Sequence, residues 1–223
     1  MTEIVELRGI RGVIAKNMVK SLENTAQLTL FAEFDAYHLV AGRQALKDGG
    51  HKIGYEDLII YILCNAIRKH PIVNSRVDGI TAQSSDGVHV AIAIATDAGL
   101  IAPVLFDADS KSVFEICEYR RDLIDRAKQA KLSTKEMTQG SFTVSNLGIT
   151  RVNHFTPILN YPQVALLGLG QIMNRAWVLE DGSIAARPIM GLSLTIDHRV
   201  IDGGPGGEFL TELCSALETP VDY

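Results

Sequence analysis

The chain has 223 residues, of which 47% are hydrophobic and 21% charged, and its formal net charge is -5. This globular composition excludes disordered and fibrous classes, and the interspersed charges disfavour nucleic acid and anionic membranes as partners. The apolar stretches are about half the roughly 20 residues that span a membrane, and no secretory signal opens the chain, so we expect a soluble cytoplasmic protein.

The first half of the chain predicts helices and strands in mixed order. In chain order these are a helix over 7–24, a strand over 28–35, helices over 36–48 and 55–69, and strands over 88–96 and 99–106. The last two strands are rich in apolar and β-branched residues, and the break at 97–99 predicts that they are neighbours. Gly49 and Gly50 suit a left-handed end to the second helix.

The second half continues the mixture. It predicts a charged helix over 111–130, a capping-box turn at 133–136, strands over 141–146, 163–172 and 175–197, and a closing helix over 205–217. Asp181 and Gly182 predict a hairpin tip. Because no repeat or low-complexity linker divides the chain, we expect one α+β domain over 1–223, with a two-layer mixed sheet and helices largely on one face.

The spacing of cysteines and histidines gives no metal or disulfide framework. Cys64, Cys117 and Cys214 lie far apart in apolar helical contexts, which is typical of buried free thiols in a reducing compartment. The histidines without ligand spacing, for which we expect no metal, are His38, His51, His70, His89 and His154.

Several common catalytic motifs are missing. The chain has no Gly-x-Ser-x-Gly elbow, phosphate loop or His-Glu-x-x-His segment. The segment "GLGQIM" (168–173) begins like a dinucleotide-binding fingerprint but lacks its third glycine. We therefore expect these glycines to serve strand packing.

His198 differs from the other histidines because it follows an apolar strand. Asp202 lies four residues later and is followed by Gly203 and Gly204. One interpretation is a strand end capped by charged residues. The other is a general base oriented by a carboxylate, with glycines that let a ligand approach the backbone. The residues alone leave both interpretations open.

The segment "DHRVIDGG" (197–204) resembles the signature of the dihydrolipoamide acyltransferases, the core components of 2-oxo acid dehydrogenase complexes, which share a fold with chloramphenicol acetyltransferase. The resemblance covers nearly the whole chain, because four further segments follow the order of that family. They are "RGVIAKNM" (11–18), "GLIAPVLFDADSKS" (99–112), "GSFTVSNLG" (140–148) and "FTPILNYPQVALLGLG" (155–170).

The resemblance implies a homotrimer with active sites between subunits, and trimers that pack into a larger hollow core. It implies coenzyme A as a substrate, a lipoyl domain that delivers the second substrate, and decarboxylase and dihydrolipoamide dehydrogenase components as partners. No metal is implied.

The resemblance also assigns roles to residues. His198 is the implied general base and Ser145 the implied donor to an oxyanion, each from a different subunit. Asp202 is the implied structural carboxylate near the site, with Arg11 as its partner. The alternatives are that Arg11 is an ordinary exposed helix residue and that the Ser145 hydroxyl bonds to backbone. Asn146 and Gly203 support the site, and Asn146 also suits a turn.

These residue types agree with the implied chemistry. An imidazole titrates near neutral pH and can remove the proton of a thiol. Attack of the resulting thiolate on a thioester creates an oxyanion, and a serine hydroxyl can stabilise it by about 3–4 kcal/mol.

The chain departs from the family in three places. Ala26 and Gln27 replace a Pro-His pair that many members carry, and the loop over 146–155 lacks the family's common glycine-containing form. No lipoylation turn or flexible linker occurs, so we expect neither a lipoyl nor a peripheral-subunit-binding domain. The lipoyl group then comes from another domain or chain, and the chain is either an excised core or a separate subunit.

Two other functions stay open from the sequence. One is an antibiotic O-acetyltransferase of the same fold, and the other is a non-catalytic core scaffold. The sequence also leaves open the acyl group, which can be acetyl, succinyl or branched, and the number of subunits in the core.

Overall fold

A computed structural model of the chain describes residues 6–97, 99–179 and 181–221. The helices in these ranges are α1 (Gly9–Asn24), α2 (Tyr37–Asp48), α3 (Tyr55–Lys69), α4 (Val113–Lys128), α5 (Thr134–Thr138) and α6 (Gly203–Leu217). The strands are β1 (Gln27–Asp35), β2 (Ser75–Asp78), β3 (Thr81–Ser84), β4 (Val90–Ile92), β5 (Ile94–Thr96), β6 (Gly99–Ile101), β7 (Val104–Leu105), β8 (Phe142–Asn146), β9 (Ala165–Val178) and β10 (Ile184–Asp197).

Six of these strands form the main sheet, in the order β1-β10-β9-β8-β4-β7. Strand β8 runs parallel to both of its neighbours, β4 and β9, and the other pairs are antiparallel. Two small antiparallel pairs, β2 with β3 and β5 with β6, lie outside this sheet. The predicted mixed sheet is confirmed.

The buried apolar side chains form one continuous cluster between the main sheet and helices α3, α4 and α6. Helix α3 lies at its centre, because the apolar run of 58–67 is buried on several sides of the helix. Glu56 and Asp57 occupy the first turn of α3, where negative charge is favourable. No helix in the described ranges is both long and apolar enough to cross a bilayer.

The two runs predicted as single strands over 88–106 are each divided. The first gives β4 in the main sheet and β5 in a separate hairpin, and the second gives β6 and β7. Pro103 interrupts the second run because proline has no N–H for a ladder. The neighbouring pairs are as predicted, β5 with β6 and β4 with β7. Residue 98, at the centre of the predicted break, lies outside the described ranges.

Two later elements differ in length from their predicted ranges. Strand β9 continues past its predicted end to Val178 and pairs with β10 along most of the hairpin, whose tip is at Asp181 and Gly182 as predicted. Helix α6 begins at Gly203, so Pro205 is its third residue. Proline is tolerated there because the first N–H groups of a helix have no partner within it.

Three glycines in β9 and β10 make room for the segment that crosses the sheet after β8. A Cβ on Gly170 would lie 1.9 Å from the carbonyl oxygen of Asn153, and one on Gly191 would lie 2.3 Å from the same oxygen. A Cβ on Gly168 would lie 2.7 Å from the ring of Phe155. The expectation that "GLGQIM" serves strand packing is confirmed.

The cysteines are free thiols within the described ranges, as expected. Cys64 and Cys117 are buried, whereas Cys214 is half-buried. Burial raises the pKa of Cys64 and of Cys214 to about 12, so neither is a thiolate near neutral pH.

The predicted capping box joins α5 to α4. The backbone N–H of Glu136 donates to Ser133 Oγ at 3.3 Å, and the backbone N–H of Ser133 donates to the Glu136 carboxylate at 2.8 Å. Arg126 of α4 also donates to this carboxylate, at 3.0 Å through Nη1. Hydrogen bonds from Arg126 lower the pKa of Glu136 to about 2.

Replacing Gly170 with alanine is expected to destabilise the fold by about 1–3 kcal/mol, because the new Cβ overlaps a backbone oxygen that cannot move away freely. The midpoint of urea unfolding measures the effect. Gly207→Ala is the matched control, because a Cβ at that position in α6 meets nothing within 4 Å and alanine favours helix. Equal midpoints for the two variants would contradict the packing described.

Glu136→Gln is expected to lower the free energy of unfolding at neutral pH and to have less effect in acid. Folding lowers the pKa of this carboxyl from 4.5 to about 2. Its contribution to stability is therefore complete above about pH 4.5 and is lost as the pH falls towards 2. Urea unfolding between pH 2 and 7 measures the effect. Glu118→Gln, at an exposed position on α4, is the matched control.

Candidate active site

His198 directly follows the last residue of β10. Its backbone N–H donates to the carbonyl oxygen of Ala26 at 2.7 Å, so the residue is held at the start of β1. The side chain is 44% exposed, and its Nδ1 lies 3.6 Å from Oδ1 of Asp202. This imidazole is therefore accessible to a ligand while its backbone is fixed.

Asp197 fixes the loop that carries His198, a role that the sequence alone did not indicate. Its buried carboxylate accepts hydrogen bonds from the N–H of Ala26 at 3.2 Å, from the N–H of Arg199 at 3.2 Å and from Arg199 Nε at 2.9 Å. Burial raises the pKa of Asp197, but the hydrogen bonds from Arg199 and Ala26 outweigh it and the net pKa is lowered. The sequence signal was an acid at a strand end with arginine two residues later.

Asp202 and Gly203 lie at the start of α6. The Asp202 side chain is exposed and makes no capping hydrogen bond to the helix. A Cβ on Gly203 would meet only Leu28, at 4.0 Å, and one on Gly204 would meet nothing within 4 Å. Packing within the chain therefore does not require glycine at these two positions. The close approach of a ligand to the backbone is one reason for glycine there.

Ser145 lies near the end of β8 and is half-buried. Phe142 and Val144 belong to the core, so alternation along the strand places Ser145 on the opposite face of the sheet. In the described part of the chain, its hydroxyl has no hydrogen-bond partner. The alternative of a hydroxyl bonded to backbone is therefore not what the structure shows.

The sheet register keeps Ser145 and His198 apart within one chain. Ser145 pairs with Gly168 of β9, and Gly168 pairs with Ser193 of β10, five residues before His198. At the usual strand dimensions, the two residues are separated by about 16 Å along the strands and about 10 Å across them. One chain therefore cannot bring both side chains to the same reacting atom.

Arg11 lies on α1 and forms no ion pair with Asp202 among the residues that the structure describes. It is thirteen residues before the end of α1 at Asn24, which corresponds to about 20 Å of helix. Its pairing with Asp202 stays a prediction.

Helix α1 exposes much of its apolar surface. Its large hydrophobic side chains with about half or more of their surface exposed are Ile10, Val13, Val19 and Leu22. Ser21 is the one buried residue of α1. The predicted helix is present, and Ile14 on it lies against Gly99, but the four side chains above are largely exposed.

Gln27 bridges two segments at the position where the chain departs from the family pattern. Its Nε2 donates to Thr25 Oγ1 at 2.9 Å and to Ser21 Oγ at 3.2 Å, and its Oε1 accepts from the N–H of Leu159 at 3.2 Å. The glutamine thus joins the end of α1 to the segment between β8 and β9.

Asn146 is the last residue of β8, and its side chain caps the turn that follows. Its Oδ1 accepts from the N–H of Gly148 at 2.8 Å, directly after β8. No group of three or more His, Cys, Asp or Glu side chains could hold a metal ion, as far as the structure describes the chain.

Comparison with curated proteins identifies relatives along nearly the whole chain. One is the dihydrolipoyllysine-residue acetyltransferase component of the pyruvate dehydrogenase complex of Bacillus subtilis (strain 168), which is 38% identical over 96% of this chain and 50% of its own length. Another is the dihydrolipoyllysine-residue succinyltransferase component of the 2-oxoglutarate dehydrogenase complex of Bartonella vinsonii subsp. berkhoffii, 36% identical over 98% of this chain and 54% of its own length. The chain spans about half the length of these relatives.

Solved structures share the fold. One addresses the role of a serine, a histidine and an asparagine in the catalytic mechanism of Azotobacter vinelandii dihydrolipoamide acetyltransferase; its TM-score is 0.92, with 29% identity over 98% of this chain and 92% of that chain. The structure of the cubic core of a pyruvate dehydrogenase multienzyme complex has a TM-score of 0.90. It is 28% identical over 98% of this chain and 92% of that chain. A chloramphenicol acetyltransferase has a TM-score of 0.55 and is 18% identical, with 98% of each chain covered. At this identity the comparison shows a shared fold and no more.

The profile of one protein family matches residues 1–223, and its description is 2-oxoacid dehydrogenases acyltransferase (catalytic domain). This match agrees with the mixed sheet, with the relatives above and with the segments quoted from the sequence. The chain therefore belongs to the 2-oxoacid dehydrogenase acyltransferase family, and it corresponds to the catalytic domain of that family.

Proposed function

We propose that the chain transfers an acyl group between dihydrolipoamide and coenzyme A. The observation that carries this proposal is the accessible imidazole of His198 on a loop that the buried Asp197 carboxylate holds in place. The relatives, which are acetyltransferase and succinyltransferase components, support the same reaction class. Acetyl, succinyl and branched acyl groups are the candidates for transfer.

The proposed mechanism uses His198 as the base. Its imidazole takes the proton of the attacking thiol, and the thiolate adds to the thioester carbon to give a tetrahedral oxyanion. The Ser145 hydroxyl donates a hydrogen bond to that oxygen. The bond from carbon to the leaving sulfur then breaks, and the imidazolium returns its proton to this sulfur. Substrate and product are both thioesters, so the reaction runs in either direction.

Residue types in a solved relative support these assignments. The Azotobacter vinelandii enzyme was studied at a serine, a histidine and an asparagine for their roles in its catalytic mechanism. That asparagine lies four residues after the histidine, which is the position of Asp202 relative to His198. We assign Asp202 as a structural carboxylate near the base, with Gly203 allowing substrate to approach.

We propose that each site forms between two chains of a homotrimer. The separation of Ser145 from His198 within one chain supports this, because the pair needs a neighbouring chain to meet. The exposed apolar residues of α1 supply surface for such a contact. The neighbour's α1 then brings Arg11 towards Asp202. Trimers assemble into a larger hollow core, as the cubic core of the pyruvate dehydrogenase complex suggests.

The lipoyl group reaches the site on another domain or chain. We propose that the described fold is one catalytic domain that works in the cytoplasm beside a decarboxylase and a dihydrolipoamide dehydrogenase. The relatives support this as named components of 2-oxo acid dehydrogenase complexes.

The test of the reaction is acyl transfer to free dihydrolipoamide from acetyl, succinyl and isobutyryl coenzyme A, each supplied separately. His198→Ala is expected to lower kcat by about 10²–10⁴-fold, the range for loss of a general acid–base group. Ser145→Ala is expected to lower it by about 10²–10³-fold through loss of one oxyanion donor.

One control supplies chloramphenicol as an alternative acceptor. The other measures particle mass by light scattering, to establish that the protein is assembled. Transfer to the antibiotic hydroxyl instead of the thiol would favour the O-acetyltransferase. A correctly assembled wild-type protein that transfers no acyl group would favour the scaffold.

The two-chain site predicts complementation between inactive variants. When His198→Ala and Ser145→Ala chains are co-expressed in equal amounts, about a quarter of the sites in randomly mixed trimers contain both intact residues. Steady-state assay of co-purified, differently tagged chains measures the recovery. Mixed particles that stay as inactive as either variant alone would show that no site combines residues of two chains.

A further inference from the structure

A network of hydrogen bonds joins the end of α1 and the start of β1 to the segment between β8 and β9. The Ser21 hydroxyl donates to the carbonyl oxygen of Leu159 at 2.6 Å, and the N–H of Leu159 donates to Gln27 Oε1 at 3.2 Å. Gln27 Nε2 closes the network by donating to Ser21 Oγ at 3.2 Å. Side chains of α1 and β1 thus hold both backbone groups of Leu159. We call these three residues the Ser21–Gln27 network.

The Ser21–Gln27 network is buried at its centre and its polar groups are paired. Ser21 and Leu159 are fully buried, and the Ser21 hydroxyl both donates and accepts. The Gln27 amide also donates to Thr25 Oγ1 at 2.9 Å, and that hydroxyl donates to the carbonyl oxygen of Ser21 at 2.6 Å. Another arrangement would leave a buried donor or acceptor without a partner, which is costly. The network therefore fixes the angle at which α1 meets the sheet.

The other contacts of α1 with the rest of the chain are less buried. Ser21 is the one buried residue of this helix. Ile14 lies against Gly99 in the small hairpin of β5 and β6, and Lys20 Nζ lies 5.2 Å from the centre of the Tyr161 ring. That hairpin is outside the main sheet, whereas the network reaches the main sheet through β1. The orientation of α1 therefore depends on the network.

A small rotation of α1 at Ser21 has a large effect at Arg11. Arg11 lies ten residues before Ser21, which corresponds to about 15 Å of helix. A rotation of about 10° at Ser21 moves a point at that distance by about 2.6 Å. The length of a hydrogen bond varies by only about 0.5 Å, so this displacement is enough to break one.

We propose that Gln27 and Ser21 are positioning residues that set the angle of α1. Through this angle they place Arg11 against Asp202 of the neighbouring chain. The inference rests on the proposed two-chain site. It assigns Gln27 to the site of the neighbouring chain, although Gln27 pairs with Asp197 beside the base of its own chain.

The test begins with Gln27→Glu, which is close in size to the original side chain. It keeps an oxygen that accepts from Leu159 but replaces the donor to Ser21 with a second carboxylate oxygen. We expect kcat of homogeneous particles to fall about tenfold to a hundredfold, because misplacing a group by about 1 Å can have that effect.

Ser21→Ala should lower kcat by a similar factor, and the double variant with Gln27→Glu should be no slower than the slower single variant. Both changes break the same network, so their effects are not additive. Asn24→Ala is the matched control. Asn24 Nδ2 donates to the carbonyl oxygen of Lys20 at 2.8 Å in the last turn of α1 and does not reach Leu159, so kcat should be unchanged.

Mixed particles determine in which chain Gln27 acts. When His198→Ala and Ser145→Ala chains are co-expressed, a productive site takes its serine, and with it Arg11, from the His198→Ala chain. Gln27→Glu on that chain is expected to lower the recovered activity about tenfold or more. The same substitution on the Ser145→Ala chain should leave the recovered activity unchanged. The two mixtures contain the same substitutions in equal numbers, so a general loss of stability would affect both.

A second measurement identifies the route. When the His198→Ala chain also carries Arg11→Ala, adding Gln27→Glu to it should cause no further loss, because no arginine remains to be misplaced. A further loss would show that the network acts on Ser145 through the Leu159 segment, and would overturn the role of α1. Particle mass and urea midpoints establish that each mixture is assembled.

The outcomes distinguish this inference from the proposed function. An unchanged kcat in homogeneous Gln27→Glu particles would overturn the inference and leave the reaction assignment intact. So would equal losses in the two mixtures, or a loss only when Gln27→Glu is on the Ser145→Ala chain, since Gln27 would then serve the base of its own chain. If the mixture without Gln27→Glu recovers no activity, the two-chain site and this inference are overturned together.

Discussion

The buried carboxylate of Asp197 is the interaction on which the rest of the site depends. It gathers N–H groups from the residue before β1 and from Arg199, so it joins the end of β10, the start of β1 and the loop that carries His198. A buried charge is stable only when such partners surround it. The imidazole can therefore project from a rigid strand end while Arg199 and Asp202 remain near solvent.

The order of strands in the main sheet is the basis for the proposed two-chain site. β8 and β10 both pair with β9, and this register places Ser145 and His198 at different heights of the sheet. No side-chain rotation spans that distance. The glycines of β9 and β10 let the segment after β8 pack directly on these two strands. The same fold that holds each residue firmly thus separates the two within one chain.

Most elements of the fold were predictable because local periodicity and caps determine them. The helix over 55–69 matches α3 from end to end, and the capping box at Ser133 begins α5. The runs over 88–106 were less predictable, since whether an apolar stretch stays in one sheet depends on its neighbours. The sheets in which they pair separate β4 from β5. The hairpin of β2 and β3 was not predicted, because Val77 is its one core residue.

The sequence by itself determined the family, the mixed sheet, and the candidate residues His198, Ser145 and Asp202, because these are properties of residue type and order. Only the tertiary structure decided that Asp197 anchors the loop of His198, and that the Ser145 hydroxyl has no hydrogen-bond partner among the described residues. The anchor at Asp197 joins it to Ala26, which lies 171 positions earlier in the chain. Strand register and helix packing create such contacts, and neither is encoded in a local pattern.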